Sequence, residues 1–90
     1  MEQPYTDCLT ICEDLFYRIF DPNYEDMEYI WHRDERDRMC IVIEGDGWQF
    51  QKDEDLPFEL HEGDVVSITK LNYHRLIKGN NRLVMKIMEL

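Results

Sequence analysis

Turn signals recur along the chain at short and regular intervals, and this spacing limits most strongly what the chain can fold into. All four glycines lie in such signals, at Gly45, Gly47, Gly63 and Gly79, where a positive φ is cheap for glycine. The segments between the turns are short and rich in β-branched and aromatic residues. Short strands separated by turns in this way are typical of an all-β sandwich or barrel.

Five segments have the composition of β-strands, and the N-terminal third allows two interpretations. Apolar residues between positions 8 and 20 fit one face of a helix. The aromatic run 15–20 also suits a strand, because a proline turn follows it directly. We expect a strand there, with a short helix as the alternative, in a single domain over residues 1–90. The other predicted strands are 39–44, 48–52, 64–69, 73–78 and 83–88.

The charge of the chain disfavours polyanionic partners. It carries 20 acidic and 10 basic residues, for a formal net charge of −10, so its field repels nucleic acids and anionic membranes. No apolar run has the length of a membrane span, and the first residues lack the features of a signal peptide. The three cysteines form no CxxC pair and suit reduced thiols. We therefore expect a cytoplasmic protein that binds neither nucleic acid nor membrane.

A glycine and a histidine define the clearer of two motifs. Gly63 precedes His74 by 11 residues, with a turn between them. This spacing resembles the second sequence motif of the cupins, which are small jelly-roll barrels (double-stranded β-helices). Three positions depart from the family pattern, since Thr69, Leu71 and Lys78 stand where the family has proline, glycine and asparagine.

The stretch from His32 to Gly45 resembles the first cupin motif. Asp34 stands where the family has a second histidine, and Arg38 stands where it has a glutamate. The resemblance covers roughly residues 27–90. It implies that His32, Asp34, Arg38 and His74 converge inside the mouth of the barrel. The stretches 31–34 and 73–79 also look similar to small stand-alone cupins of tailed bacteriophages, a likeness that implies no activity.

The first interpretation of this set is a metal site. Two histidines and one carboxylate, here His32, Asp34 and His74, suit a non-haem Fe(II) with open coordination positions. Mn, Ni or Zn are alternatives, and a protein without metal stays open. The same pattern resembles the ligands of 2-oxoglutarate oxygenases. In those enzymes a later basic residue grips the co-substrate, and Arg82 or Lys86 would be its counterpart here.

Two further interpretations use no metal. In one, Arg38 and Lys78 bind a small anionic ligand, since a cation beside a metal opposes metal binding. In the other, Arg38 and Asp34 form an internal ion pair and the histidines only pack. Catalytic residues stay unassigned. A binding module, an enzyme of the Fe(II) oxygenase or isomerase type, and a regulatory protein for a basic partner all remain open.

Alternation along the strands predicts two apolar stripes. Met39, Ile41 and Ile43 share the strand face opposite Arg38. A second stripe follows at positions 83, 85 and 87. If one stripe packs inside and the other faces out, the exposed stripe would drive formation of a homodimer.

Overall fold

A computed structural model of the chain describes residues 4–24 and 29–90, and every strand pairing in it is antiparallel. The regular structure within these ranges consists of β-strands joined by turns and loops. The eight strands are β1 (Tyr5–Leu9), β2 (Leu15–Phe20), β3 (Arg38–Glu44), β4 (Gln49–Lys52), β5 (Phe58–Glu59), β6 (Val65–Ile68), β7 (His74–Ile77) and β8 (Leu83–Glu89).

The strands form two sheets in a jelly-roll arrangement. One sheet has five strands in the order β1-β2-β8-β3-β6, and the other has three in the order β5-β4-β7. Both sheets contribute to one apolar core, in which Val42 and Leu83 of the first sheet cluster with Trp48 and Phe50 from the second. The all-β jelly roll that the turn spacing and the motif resemblance predict is therefore confirmed.

The predicted alternation also decides which apolar stripe faces the core. Leu83, Met85 and Ile87 of β8 are buried. Met39 and Ile43 of β3 are 41% and 45% exposed, on the outer face of the five-stranded sheet. The sequence predicted two apolar stripes without deciding which one faces outward. The structure shows that the outward stripe is the one on β3.

The N-terminal region forms a β-hairpin. Leu15–Phe20 is a strand, as expected, and it pairs with β8 on one side and β1 on the other. The helical alternative is wrong, because these apolar residues alternate across a sheet instead of lying on one helix face. The sequence did not predict β1 or the two-residue β5. Met27 and Glu28, at the start of the motif-bearing core, lie outside the described residues.

Two further expectations concern thiols and membrane spans. All three cysteines are free, with Cys8 and Cys12 exposed and Cys40 buried. Within residues 4–24 and 29–90, no helix has the length and apolar character needed to cross a bilayer.

Gly79 lets the turn after β7 approach the loop before β4. A Cβ atom at this position would lie 2.2 Å from the carbonyl oxygen of Asp46 and 2.6 Å from the backbone nitrogen of Trp48. Trp48 is fully buried and donates from its indole nitrogen to the carbonyl of Asn81 at 2.6 Å. The two sheets are therefore joined here by a contact that only glycine permits.

We expect Gly79→Ala to lower the free energy of unfolding by about 1–3 kcal/mol, because backbone atoms must move to admit the methyl group. Urea denaturation measures the difference. The control is Asn81→Ala, an exposed position whose side chain makes no hydrogen bond within the described residues, where a change within about 0.5 kcal/mol is expected. Equal losses in the two variants would contradict the close approach.

Candidate functional site

Two backbone hydrogen bonds join His32 to His74. The N–H of His32 donates to the carbonyl of His74 at 3.0 Å, and the N–H of His74 donates to the carbonyl of His32 at 2.9 Å. The two residues form an isolated antiparallel bridge. His74 is the first residue of β7, whereas His32 lies in none of the eight strands. The centroids of the two imidazoles lie 4.3 Å apart. The structure therefore brings together the two motifs that the sequence analysis expected to meet.

Asp34, two residues after His32, also lies beside the two imidazoles. Its carbonyl accepts a hydrogen bond from the N–H of Leu71 at 2.7 Å, which ties it to the turn before β7. Its Oδ2 atom lies 3.2 Å from Nε2 of His74. One potential ligand atom from each of His32, Asp34 and His74 lies within 4.8 Å of the other two. This cluster can therefore contact a single ion.

Backbone carbonyls orient both imidazoles. Nδ1 of His74 lies 2.9 Å from the carbonyl oxygen of Asn72, and Nδ1 of His32 lies 3.2 Å from that of Ile30. A carbonyl oxygen only accepts hydrogen bonds, so each Nδ1 is the protonated nitrogen. In a neutral ring, Nε2 then carries a lone pair. Histidines that bind metal through Nε2 are commonly held in this way.

The Asp34 carboxylate stays charged in this setting. Burial raises its pKa, but the neighbouring His74 and the Arg38 guanidinium outweigh burial and bring the pKa below its usual value. Its Oδ2 atom is buried and accepts no hydrogen bond within the described part of the chain. The nearby Nε2 of His74 can donate to it only when that ring is protonated. When His74 is neutral, the lone pair on its Nε2 atom faces Oδ2 of Asp34, so two hydrogen-bond acceptors face each other.

His32 favours its neutral form. The residue is exposed overall, but partial desolvation lowers the pKa of its imidazole, and the neighbouring His74 lowers it further. A neutral imidazole is the form that binds a metal. The electrostatics of the cluster therefore favour one carboxylate and at least one neutral imidazole at the same point.

Arg38 contacts carboxylates through all three guanidinium nitrogens. Its Nη1 lies 3.3 Å from Oδ1 of Asp34, while its Nη2 and Nε each lie 3.2 Å from Oε2 of Glu89. Its side chain is 16% exposed. The ion pair with Asp34 expected from the sequence is present, and it holds the carboxylate that faces His74.

Three other basic residues named by the sequence analysis lie elsewhere. Lys78 donates to the carbonyl of Tyr24 at 2.6 Å and does not line the cavity beside the histidines. Arg82 pairs with Glu44 at 2.9 Å on the surface. Lys86 alternates with the buried residues of β8 and so faces outward. The structure therefore places neither Arg82 nor Lys86 where it would grip a co-substrate.

A cavity of about 340 Å³ opens beside the cluster, between the two sheets. Apolar side chains form most of its wall, and Arg18 and Cys40 join the motif residues as its polar lining. The sequence analysis missed Arg18. Alternation in β2 was the available signal, because it puts Arg18 on the same strand face as the buried Phe16. The lining residues used below are Arg18, His32, Asp34, Arg38, Cys40, Phe50, Ile68, His74, Leu76, Met85 and Ile87.

We expect Cys40 to resist thiol reagents while Cys8 and Cys12 react. Cys40 is 1% exposed, and burial raises the pKa of its thiol to about 11. At pH 8 only about one thiol in a thousand is then the reactive thiolate. Titration with Ellman's reagent should give two fast equivalents in the native protein and a third after denaturation. Three equivalents reacting equally fast without denaturant would contradict the buried position of Cys40.

Comparison with known proteins finds similarity in structure but not in sequence. No protein-family model matches the chain, and no curated protein matches it. A cupin-2 domain protein from Shewanella frigidimarina superposes with a TM-score of 0.71 at 21% identity, over 100% of this chain and 85% of that one. The chain has the cupin fold.

Two other solved structures also superpose on the chain. KdgF from Halomonas sp. has a TM-score of 0.70 at 18% identity, covering 98% of this chain and 82% of that chain. The Fe(II) form of HppE, in complex with its substrate, has a TM-score of 0.68 at 12% identity. That match covers 96% of this chain and 52% of HppE, so this cupin domain spans about half the length of HppE. At these identities the likeness is one of fold.

Proposed function

We propose that this cupin binds one divalent transition metal, with Fe(II) as the first candidate, through His32, Asp34 and His74. The observation that carries the proposal is the buried Oδ2 of Asp34, which lacks a hydrogen bond and faces the Nε2 atom of His74. A buried charged oxygen without a partner is costly. A cation between the carboxylate and the imidazoles would remove that cost.

The donor set fits such a metal. Two imidazoles and one carboxylate suit Fe(II), and also Mn, Ni or Zn, and a set of three leaves coordination positions open. Arg38 does not oppose the metal as strongly as an unpaired cation would, since Glu89 and Asp34 both contact it. Through the pair with Asp34, Arg38 holds a ligand in place, a role that matters to metal affinity.

A bound metal would supply Lewis acidity to a ligand oxygen at its open positions. The protein's own residues do the rest. Arg38 orients Asp34, and the carbonyls of Ile30 and Asn72 orient the imidazoles. Arg38 also lines the cavity and adds positive potential for a small anionic ligand. Lys78 has no part in this proposal, because it does not line the cavity.

Catalysis at this centre is a second candidate. The likeness to HppE, whose structure holds Fe(II) and a substrate, favours it together with the cavity beside the three ligands. An oxygenase or isomerase would need both features. The fold is shared by many chemistries, so the metal is the part that an experiment should address first.

Metal content and thermal stability test the proposal, and the three histidines provide matched variants. Protein purified without chelator should hold close to one metal per chain, and H32A, H74A and D34N should lose it. A metal at a concentration 100 times its Kd should stabilise the wild type by about 2.7 kcal/mol. His61 is exposed, and its polar contacts within the described residues are to Glu59 and Asp64. The variant H61A should therefore keep the metal.

Two results would overturn this function. One is wild-type protein that holds no metal and whose melting temperature does not change with Fe(II), Mn(II), Ni(II) or Zn(II). The other is metal binding that H74A and D34N retain but H61A loses, which would place the ion at the exposed His61 instead.

A further inference from the structure

Arg18 reaches the cavity from β2 and is held in one orientation. Its Nε and Nη2 atoms donate to the two carboxylate oxygens of Asp7 at 2.7 Å and 3.0 Å. Its guanidinium carbon lies 3.8 Å from the centroid of the Tyr5 ring, and its side chain is 13% exposed. Two-point pairing and ring contact together fix a planar guanidinium.

One nitrogen of this guanidinium has no partner. Within the described part of the chain, nothing accepts a hydrogen bond from Nη1 of Arg18. Arg38 differs, because all three of its guanidinium nitrogens face the carboxylates of Asp34 or Glu89. Among the described residues, Nη1 of Arg18 is therefore the one guanidinium nitrogen of the two cavity arginines that has no carboxylate oxygen beside it.

The cavity suits a ligand with one charged end and a short apolar body. Its volume of about 340 Å³ lies at the small end of the range for small-molecule sites. Its apolar wall includes Phe50, Leu76 and Met85. Its polar groups come from the histidine cluster and the two arginines, with Tyr5 and Tyr29 also in the lining. A ligand carrying several hydroxyl groups would leave most of them unpaired against that wall.

The charges around the cavity favour a monoanion. Arg18 pairs with Asp7, and Arg38 pairs with Asp34 and Glu89, so the group as a whole carries one negative charge. A divalent metal would turn this into one positive charge, which a monoanion neutralises. Charge balance thus depends on the proposed metal, whereas the free donor of Arg18 does not.

We propose that Arg18 anchors the carboxylate of a small apolar monocarboxylic acid in this cavity. The carboxylate accepts hydrogen bonds from Nη1, and the carbon chain of the acid lies against Phe50 and Leu76. This proposal names a ligand class for the site described above and rests on the proposed function for the charge balance.

Calorimetric titration with butyrate and with its neutral amide, butyramide, tests the anchor. Metal-loaded wild-type protein should bind butyrate more tightly than butyramide. Arg18→Gln should weaken butyrate binding by at least about tenfold and leave binding of butyramide unchanged. Arg18→Lys keeps the charge without the fork geometry and should fall between the two. The control is Arg33→Gln, because Arg33 is exposed outside the cavity lining.

Metal content separates failure of the anchor from failure of the metal proposal. Equal butyrate affinity in wild type and R18Q, with metal bound in both, would overturn the anchor and leave the metal site standing. If wild type holds no metal, the same titration on the metal-free protein still decides whether Arg18 binds the carboxylate. Should R18Q fail to fold, equal affinity in R18K and wild type would count against the anchor. Wild type that binds neither probe would overturn the proposal.

A separate feature is the outer face of the five-stranded sheet, which is apolar across its width. Strand alternation directs alternate side chains of β2, β8, β3 and β6 to this face. Several of them are well exposed, including Val65 at 59%, Ile43 at 45%, Met88 at 42% and Met39 at 41%. The apolar outer face comprises Leu15, Tyr17, Ile19, Met39, Ile41, Ile43, Val65, Val84 and Met88, with Lys86 among them.

This face carries little charge although the chain is strongly acidic. Lys86 is the one charged residue that the described strands direct to its centre, where it pairs with Tyr17 and Ile41. Ion pairs stand at the two ends of the sheet, with Arg36–Asp14 and Arg82–Glu44 each at 2.9 Å. An apolar centre with a polar rim is the anatomy of a protein interface.

The occupant that best fits this face is a second copy of the chain. Two chains of net charge −10 repel each other through most surfaces. Among the described strands, no unpaired acidic side chain lies on this face to add to the repulsion. The four strands that carry this face, with seven residues in the longest, cover roughly 19 by 23 Å, or about 440 Å² in flat projection. The relief of the side chains adds to the projection, toward the roughly 600 Å² per partner at the low end of specific interfaces. We infer that the protein is a homodimer through the apolar outer face.

Light scattering coupled to size exclusion tests this, with matched substitutions on the outer faces of the two sheets. Ile41 lies at the centre of the proposed interface, and Ile77 lies on the outward face of β7. Wild type and I77K should elute at the dimer mass, and I41K at the monomer mass, because the new lysine would stand directly beside Lys86 and concentrate like charge at the centre of the interface in both copies. A wild-type monomer that persists at high protein concentration, or a dimer that survives I41K, would overturn the inference.

Discussion

The backbone bridge between His32 and His74 supports every feature of the site. It is a single antiparallel pair formed where the chain is otherwise irregular, and it joins segments more than forty residues apart. Because side chains two residues apart in an extended chain share a face, holding His32 beside His74 also brings Asp34 to the same side. Loss of these two hydrogen bonds would release His32 from His74, while the bond from the N–H of Leu71 would still tie Asp34 to the turn before β7.

Three partly buried charged side chains, Arg18, Arg38 and Asp34, line the cavity of this barrel. Most of that charge is compensated inside the protein, through Arg38 with Glu89 and Arg18 with Asp7. Two residues that line the cavity each keep one atom without a hydrogen-bond partner among the described residues, and their charges have opposite signs. Oδ2 of Asp34 suits a cation, and Nη1 of Arg18 suits an anion. A metal together with a carboxylate ligand would satisfy both.

Strand β3 shows how one segment serves two purposes. Its inward residues, Arg38 and Cys40, line the cavity, and its outward residues, Met39 and Ile41, lie on the apolar outer face. The period of two along a strand makes the two roles nearly independent. A substitution on the outer face can therefore change association while the metal cluster stays intact.

Most of the strands could be predicted from local sequence patterns. Turn residues and β-branched runs placed most strands within one or two residues of their observed ends. The short strand β5 was missed because a pattern that alternates every two residues cannot be recognised in a strand of two residues. Strand β1 was missed because its apolar positions fit a helix equally well, and pairing with β2 decided the matter.

The sequence alone determined the all-β class, the alternation that separates inner from outer residues, and the candidate set of His32, Asp34 and His74. These depend on neighbours in the chain and on motif spacing. Tertiary structure decided that Arg38 is engaged by Glu89, that Arg18 enters the cavity, and that Lys78 lies elsewhere. Those outcomes depend on partners that only folding brings near, since a charged side chain's role is set by the groups that surround it.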